Sequence, residues 1–239
     1  MESPDADLGR DPMLRRNRLI RIAAAAVLAA SLGCSDSPEK RRGEIYDLRA
    51  DPSPENIQRI RARLDDPDGE VRAYALHALV RLGVPDATSL AVDGLSDSDS
   101  YTRKIAARAL EDLADPSAVA ALGRVVVEDE DYNVREWAAD ALTAIGTGDA
   151  VVELTRALED PVKEVRLAAV RGIVKRQPEA AVDTFVSMVL EDPEWEIRVQ
   201  AAAALGMTGR EDVIPALEEA ANDPNEFVRA AVASALRVN

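Results

Sequence analysis

Residues able to perform covalent or metal chemistry are scarce in this sequence. The 239-residue chain has one cysteine, Cys34, and one histidine, His77. A disulfide within the chain needs two cysteines, and a Cys/His zinc site, a Cys–His pair or a Ser–His–Asp triad needs more partners than these two residues supply. The sequence therefore predicts no catalytic residue, no cofactor and no metal ion, and it argues against most hydrolase chemistry.

Carboxylates clustered in short segments raise the separate question of calcium. The acidic segments read DDPDGE at 65–70 and EDED at 128–131. An EF-hand loop places glycine at position six and glutamate at position twelve, whereas counting from Gly69 puts Leu64 first and Ala75 twelfth. This pattern does not match an EF-hand, so we predict no metal site.

Aspartate and arginine recur in pairs with a fixed period. Successive arginines lie 31 or 32 residues apart, and an aspartate stands six positions before each. Such a period indicates a repeat protein in which each unit packs on its neighbours. We interpret the pairs as a structural ladder in which each aspartate caps its own helix and also meets an arginine of the same or the neighbouring unit. The pairs are Asp66 and Arg72, Asp97 and Arg103, Asp129 and Arg135, Asp160 and Arg166, Asp192 and Arg198, and Asp223 and Arg229.

The residues around each pair predict a helix A, a tight turn and a helix B. Proline follows four of the aspartates and prevents helix A from continuing through the turn. Apolar residues three and seven positions after the arginine, such as Ala138 and Leu142, form the core stripe of helix B, and helix A contributes Leu95, Val127 and Leu158. The fold class is an all-α solenoid of about six helix–turn–helix units.

The segment DPVKEVRLAA at 160–169 carries a resemblance to a known family. Aspartate-proline, then valine-arginine, then alanines and leucine resembles the short HEAT-like repeats first associated with phycobilisome lyases, over residues 53–239. The resemblance implies that helix B lines the concave surface. Such repeats occur in scaffolds, in regulators and in a few lyases, so the resemblance alone does not decide among these functions.

Residues 14–34 read LRRNRLIRIAAAAVLAASLGC, a basic start and a short apolar run that ends at Cys34. The apolar run is shorter than the ~20 residues of a membrane span, and the segment is similar to a bacterial lipoprotein signal. We therefore predict a signal peptide at 1–33 with Met13 as the true start, lipidation of Cys34, a polar tether at 34–52 and the repeat array at 53–239. An ordinary secreted protein, or a buried apolar helix with a chance cysteine, remains the alternative.

A partner-binding face is predicted on the side of helix B that points away from the core stripe. Tryptophan and arginine dominate the energetics of protein interfaces, which favours the neighbourhood of Trp137, although Trp137 alternatively packs against the next unit. His77 is expected at the surface, and Trp195 is expected to cover the edge of the core. The predicted partner-binding residues are Tyr74, His77, Arg108, Trp137, Asp140, Arg171 and Lys175.

The net charge of −15 opposes a phosphate backbone, so we expect no nucleic-acid partner. The resulting prediction is a monomeric, non-catalytic, lipid-anchored scaffold of the cell envelope, facing the periplasm from the outer membrane where the cell has one, that binds another protein. Two alternatives remain open. One is a lyase-type or chromophore-handling HEAT-repeat protein, and the other is a membrane-associated cytosolic regulator.

Overall fold

The computed structural model describes residues 37–238. This part of the chain contains thirteen α-helices, four short 3-10 helices and no strand. The helices are α1 Pro38–Ala50, α2 Pro54–Ala62, α3 Gly69–Arg81, α4 Ala87–Gly94, α5 Ser100–Leu113, α6 Val119–Glu128, α7 Tyr132–Ile145, α8 Gly148–Ala157, α9 Lys163–Arg176, α10 Val182–Glu191, α11 Trp195–Thr208, α12 Ile214–Ala220 and α13 Glu226–Val238. The 3-10 helices are Arg63–Asp65, Pro116–Ala118, Pro178–Ala181 and Glu211–Val213. The predicted all-α solenoid is confirmed.

The described part of the chain forms two compact units, residues 37–78 and 79–238, with the boundary inside α3. In the first unit, α1 replaces most of the expected polar tether. Ser37 accepts a hydrogen bond from the Lys40 amide, Pro38 begins the helix, and Ile45 and Leu48 are buried. Only these two buried apolar side chains mark the helix, which is why its sequence suggests a tether.

The second unit alternates A helices (α4, α6, α8, α10 and α12) with B helices (α5, α7, α9, α11 and α13). Each B helix packs against the next B helix, and α6 packs on α8 as α10 packs on α12. Alanine, valine and leucine fill the space between helices, as at Val134, Ala138 and Leu142, which are fully buried. One prediction for helix A is wrong: Val127 is 42% exposed, and its neighbour Val126 occupies the core.

The B helices end in two different ways. Gly146 and Gly209 adopt left-handed backbone conformations with φ of 63° directly after α7 and α11. Ala114 occupies the same position after α5 with φ of 48°, where alanine is strained. After α9 the chain instead continues through Gln177, and the Arg176 guanidinium donates to the Thr143 and Ala144 carbonyl oxygens at the end of α7.

Candidate functional site

The Asp–Arg pairs lie at the turns between A and B helices and connect neighbouring helix–turn–helix repeats. Arg135 donates through Nε to Asp160 Oδ2 at 2.6 Å and through Nη2 to Asp160 Oδ1 at 3.0 Å. Its Nη1 donates to the carbonyl oxygen of Asp129 in its own turn at 2.8 Å. The same bidentate geometry joins Arg103 to Asp129, Arg166 to Asp192 and Arg198 to Asp223. Each of these arginines therefore braces two successive turns.

The ladder aspartates hold the turns and do not cap the B helices. Asp129 Oδ1 accepts from the amide of Asp131 at 2.9 Å, and Asp131 is itself the N-cap of α7. The difference from the expected cap arises because each B helix begins about three residues after its ladder aspartate. In the first compact unit, Asp66 Oδ2 accepts a hydrogen bond from Arg41 Nε at 2.8 Å. Arg41 stands 31 residues before Arg72 and so extends the ladder by one member.

Four of the predicted partner-binding residues come together on the B-helix face of the second unit. The guanidinium of Arg108 on α5 lies over the ring of Trp137 on α7, 5.3 Å from its centroid. Arg171 on α9 approaches Asp140 on α7, with 3.5 Å between Nη2 and Oδ1. Arg108 and Arg171 thus lie on the two B helices that pack against α7, where Trp137 and Asp140 stand three residues apart. We call Arg108, Trp137, Asp140 and Arg171 the tryptophan cluster.

The tryptophan cluster adjoins carboxyl groups that hold protons more tightly than usual. Burial raises the pKa of Asp140, and the opposing effect of Arg171 is smaller. Burial also raises the pKa of Glu136 and of Glu111, and the charge of Asp140 raises both further. Sequence reasoning missed Glu111, whose one signal is its position three residues after Arg108 on the same helix. The face therefore combines cations with carboxyl groups whose pKa values are raised.

The remaining predicted partner-binding residues lie apart from the tryptophan cluster. Lys175 is exposed near the end of α9. Tyr74 and His77 are exposed on the part of α3 that belongs to the first unit, where the Arg42 guanidinium lies 5.6 Å from the Tyr74 ring centroid. Trp137 is half-buried, and Trp195 is 38% exposed and stacks on Phe227.

A polar groove on the side of the A helices offers a second place for a ligand. Its volume is about 640 Å³, and Val127, Arg156, Glu159, Glu179 and Arg210 are among its lining residues. Arg156 also bonds the carbonyl oxygen of Gly123 and the carboxylate of Glu153, and Arg210 pairs with Asp212. The contacts of Arg156 with Glu153 and of Arg210 with Asp212, at 2.6 and 2.9 Å, are shorter than the 3.5 Å contact of Arg171 with Asp140, so this groove is the weaker candidate.

Two further features concern the described residues, 37–238. In this range no group of three or more histidine, cysteine, aspartate or glutamate side chains is arranged to hold a metal ion. None of the helices in the same range is both long and apolar enough to cross a membrane. Cys34 and the predicted signal peptide lie outside the described residues, so the lipidation and the envelope location stay predictions.

The alternating helices and the Asp–Arg ladder define a solenoid of helical repeats. The chain belongs to the HEAT-repeat family, since the family model of HEAT repeats matches residues 88–169 and 151–237. A solved structure, that of the E. coli protein YibA, is 23% identical with a TM-score of 0.56, over 82% of this chain and 74% of that chain, and it supports the fold.

Two curated relatives are about 30% identical to the chain over the aligned residues. One is the phycobilisome maturation protein of Synechococcus elongatus, 31% identical over 154 residues, which are 59% of this chain and 72% of the relative. The other is the phycocyanobilin lyase subunit alpha of a Picosynechococcus species, 30% identical over 156 residues, 60% of this chain and 58% of that subunit. The chain thus spans less than two thirds of the lyase subunit. The resemblance to phycobilisome-lyase HEAT repeats is confirmed.

These relatives overturn the prediction of a non-catalytic, lipid-anchored scaffold, and with it the prediction that the chain is not an enzyme. A scarcity of cysteine and histidine excludes reactions in which this chain supplies the nucleophile or a metal site. It does not exclude a lyase, whose substrates can bring both the nucleophile and the double bond.

Proposed function

We propose that this chain is a lyase-type, chromophore-handling HEAT-repeat protein that binds a bilin beside an acceptor protein. The observation that carries the proposal is the identity of about 30% with a phycocyanobilin lyase subunit and a phycobilisome maturation protein. The second relative is named a subunit, which supports a protein partner for this chain as well. The chromophore, the acceptor and any second subunit are parts of the proposal.

The tryptophan cluster supplies the groups that would bind such a ligand. A bilin is a linear tetrapyrrole with a flat conjugated system and propionate carboxylates. The indole of Trp137 offers a surface on which such rings stack. The guanidinium groups of Arg108 and Arg171 lie on α5 and α9, the two B helices that pack against α7, and guanidinium pairs with carboxylate through two parallel hydrogen bonds. Arg171 is more than half exposed, so its side chain is free to turn toward a propionate.

The proposed reaction needs no oxidant, reductant or nucleophile from this chain. A nucleophile H–X of the acceptor adds across a C=C bond of the bilin. The X–C bond forms, the π bond is lost, and the hydrogen of H–X ends on the adjacent carbon; elimination is the reverse. A carboxyl group with a raised pKa can accept the proton from H–X and deliver a proton to carbon. Asp140, with Glu136 and Glu111 beside it, occupies that position in the cluster.

Partner contact is proposed for the rest of the same face. Lys175 adds an exposed positive charge on α9 beyond Arg171. In the first unit, Tyr74 and His77 form a separate exposed group and stay candidates for contact with the acceptor. The cations Arg108, Arg171 and Lys175 would attract an acidic group of a ligand or protein toward the cluster, with an association rate that falls as salt rises.

Binding of phycocyanobilin to the full chain tests the proposal, followed by the change in bilin absorbance and by quenching of tryptophan fluorescence. Trp137→Ala and the double variant Arg108→Ala with Arg171→Ala should each weaken binding about thirtyfold, the usual effect of truncating a central contact. The matched control is the double variant Arg156→Ala with Arg210→Ala. It also removes two positive charges, but from the groove on the A-helix side, and it should change the affinity for phycocyanobilin less than twofold.

Two other results would each refute a different part of the proposal. Loss of binding in the groove variant alone would move the bilin site to that groove and refute the role of the tryptophan cluster. Absence of phycocyanobilin binding by the folded wild-type chain, with or without a lyase partner subunit, would refute the chromophore-handling function.

A further inference from the structure

Exposed aromatic side chains of the second unit concentrate at one edge. Four of them are 38–57% exposed, and all lie in the first two residues of a B helix. They stand two or three residues before a ladder arginine, so they repeat with the ladder. The four are Tyr101, Tyr132, Trp195 and Phe227. We call this edge, formed by the turns that precede α5, α7, α9, α11 and α13, the turn edge.

Contacts between successive turns show that the turn edge is continuous. Trp195 and Phe227 stack with their ring centroids 5.3 Å apart. Lys163, the first residue of α9, takes the place of an aromatic residue and reaches the carboxylates of Glu194 and Glu196 at the start of α11, at 3.8 and 3.7 Å. Arg103 reaches Glu130 of the following turn at 3.4 Å. Neighbouring turns are thus close enough for one ligand to span several of them.

The aromatic side chains of the turn edge stand among carboxylates. Glu130 is 87% exposed, and Glu194 is 39% exposed. Further exposed carboxylates lie beside them in the same turns, namely Glu128, Glu191 and Glu226. Four ladder arginines of the second unit pair with ladder aspartates, and three of these four are buried, whereas Arg229 is exposed and donates to backbone carbonyl oxygens. The exposed charge of the turn edge is therefore strongly negative.

The chain itself shows what side chains bind such a surface. Lys163 lies between two carboxylates directly beside Trp195. Elsewhere in the molecule, exposed or half-buried aromatic rings carry an arginine: Arg49 over Tyr46 at 5.4 Å in the first unit, and Arg108 over Trp137 at 5.3 Å in the second. Cations pair with carboxylates and stack on aromatic faces, and arginine does both.

We infer that the turn edge is a docking site for an extended segment of a partner protein rich in arginine and lysine. The guanidinium and ammonium groups of that segment pair with Glu130, Glu194 and Glu226 and stack on Trp195, Phe227 and Tyr132. The inference goes beyond the proposed function, since it concerns a surface outside the tryptophan cluster and stands whether or not the chain acts on bilins.

Titration with a peptide of eight alternating lysine and arginine residues tests the inference. In the background Trp137→Phe, Trp195 is the sole tryptophan, so its fluorescence reports binding at the turn edge. Calorimetry on the unmodified chain gives the affinity. Removing both stacked rings, by Trp195→Ala with Phe227→Ala, should weaken binding about tenfold while leaving the net charge unchanged.

A charge-matched pair of variants separates the turn edge from the overall charge. Glu194→Gln with Glu226→Gln should weaken peptide binding about tenfold, whereas Glu218→Gln with Glu219→Gln, exposed on α12, should weaken it less than twofold. A peptide of alternating glutamine and asparagine should not bind. Circular dichroism establishes that each variant is folded.

Three results would overturn the inference. Equal losses in the two glutamine variants would show that net charge alone attracts the peptide. Unchanged affinity after removal of both rings would exclude the aromatic contacts. Conversion of a dimer to a monomer by Trp195→Ala with Phe227→Ala, measured by sedimentation without peptide, would show that a second copy of the chain occupies the edge.

Discussion

Arg135→Ala should be among the most damaging single substitutions in the second unit, although it removes no apolar core residue. Arg135 and Asp160 are both buried, at 8% and 9% exposure, and their bidentate pair joins two turns. Truncating the arginine leaves the Asp160 carboxylate buried without its cation. Breaking a buried pair in this way costs about 3–5 kcal/mol. In a chain of this size, that corresponds to a fall in Tm on the order of 10 °C.

Arg229 provides a matched control for this prediction. It is the fourth residue of α13, as Arg135 is of α7, and it donates to the carbonyl oxygens of Asp223 and Pro224, but its side chain is exposed. Because hydrogen bonds of this kind contribute about 0.5–1.5 kcal/mol each, Arg229→Ala should cost roughly 1 kcal/mol. Both arginines make the contact with the turn carbonyl oxygens, so the difference between the two losses of unfolding free energy reports the effect of the buried carboxylate.

Urea denaturation followed by circular dichroism at pH 7 measures both free energies of unfolding. The double variant Arg135→Ala with Asp160→Ala should recover part of the loss, since it also removes the buried charge. Equal small losses of unfolding free energy for Arg135→Ala and Arg229→Ala would refute the view that the ladder holds neighbouring repeats together.

Three further predictions concern a helix end, the core and the carboxyl group of the tryptophan cluster. Ala114→Gly should stabilise the chain by about 1 kcal/mol in the same urea assay, because glycine relieves the left-handed strain at φ of 48°; a loss of stability would contradict the strained geometry. Leu142→Ala should cost about 2–5 kcal/mol and Val127→Ala less than about 1 kcal/mol, because only Leu142 is buried; similar losses would show that the faces are misassigned. Asp140→Asn should raise Tm at pH 7 but not near pH 3. A carboxyl group with a raised pKa destabilises the folded state only when it is ionised. The loss of stability is therefore absent below the pKa of ~4 in the unfolded chain and complete above the pKa in the folded chain. An equal change in Tm at both values of pH would refute burial as the cause.

The period of the ladder could be read directly from the sequence, because each pair requires one arginine and one aspartate at fixed spacing. The same period places Arg41 in register, 31 residues before Arg72. The helix around Arg41 was missed because only Ile45 and Leu48 of α1 are buried, too few to mark helical periodicity. Arg176 likewise departs from the repeat pattern, and only its contact with the end of α7 explains its position.

The tryptophan cluster was predictable as a face but not as a chemical environment. Helical periodicity places Arg108, Trp137 and Arg171 on the same side of successive B helices. The pKa of Asp140 depends on burial between those helices and on the distance to Arg171, neither of which follows from sequence spacing. The prediction of a non-catalytic scaffold was wrong for a different reason. The sequence of an enzyme does not reveal a nucleophile that one of its substrates supplies.

Transfer of phycocyanobilin to an acceptor protein is the most direct test of the proposed function. The full chain is incubated with phycocyanobilin and apo-phycocyanin, alone and with a lyase partner subunit, and covalent attachment is measured as bilin absorbance that stays with the acceptor after denaturation. We predict attachment that depends on the wild-type chain and falls at least tenfold with Asp140→Asn, while the bilin affinity of that variant changes less than twofold. The same yield of attached bilin with and without the chain, under all of these conditions, would contradict the assignment.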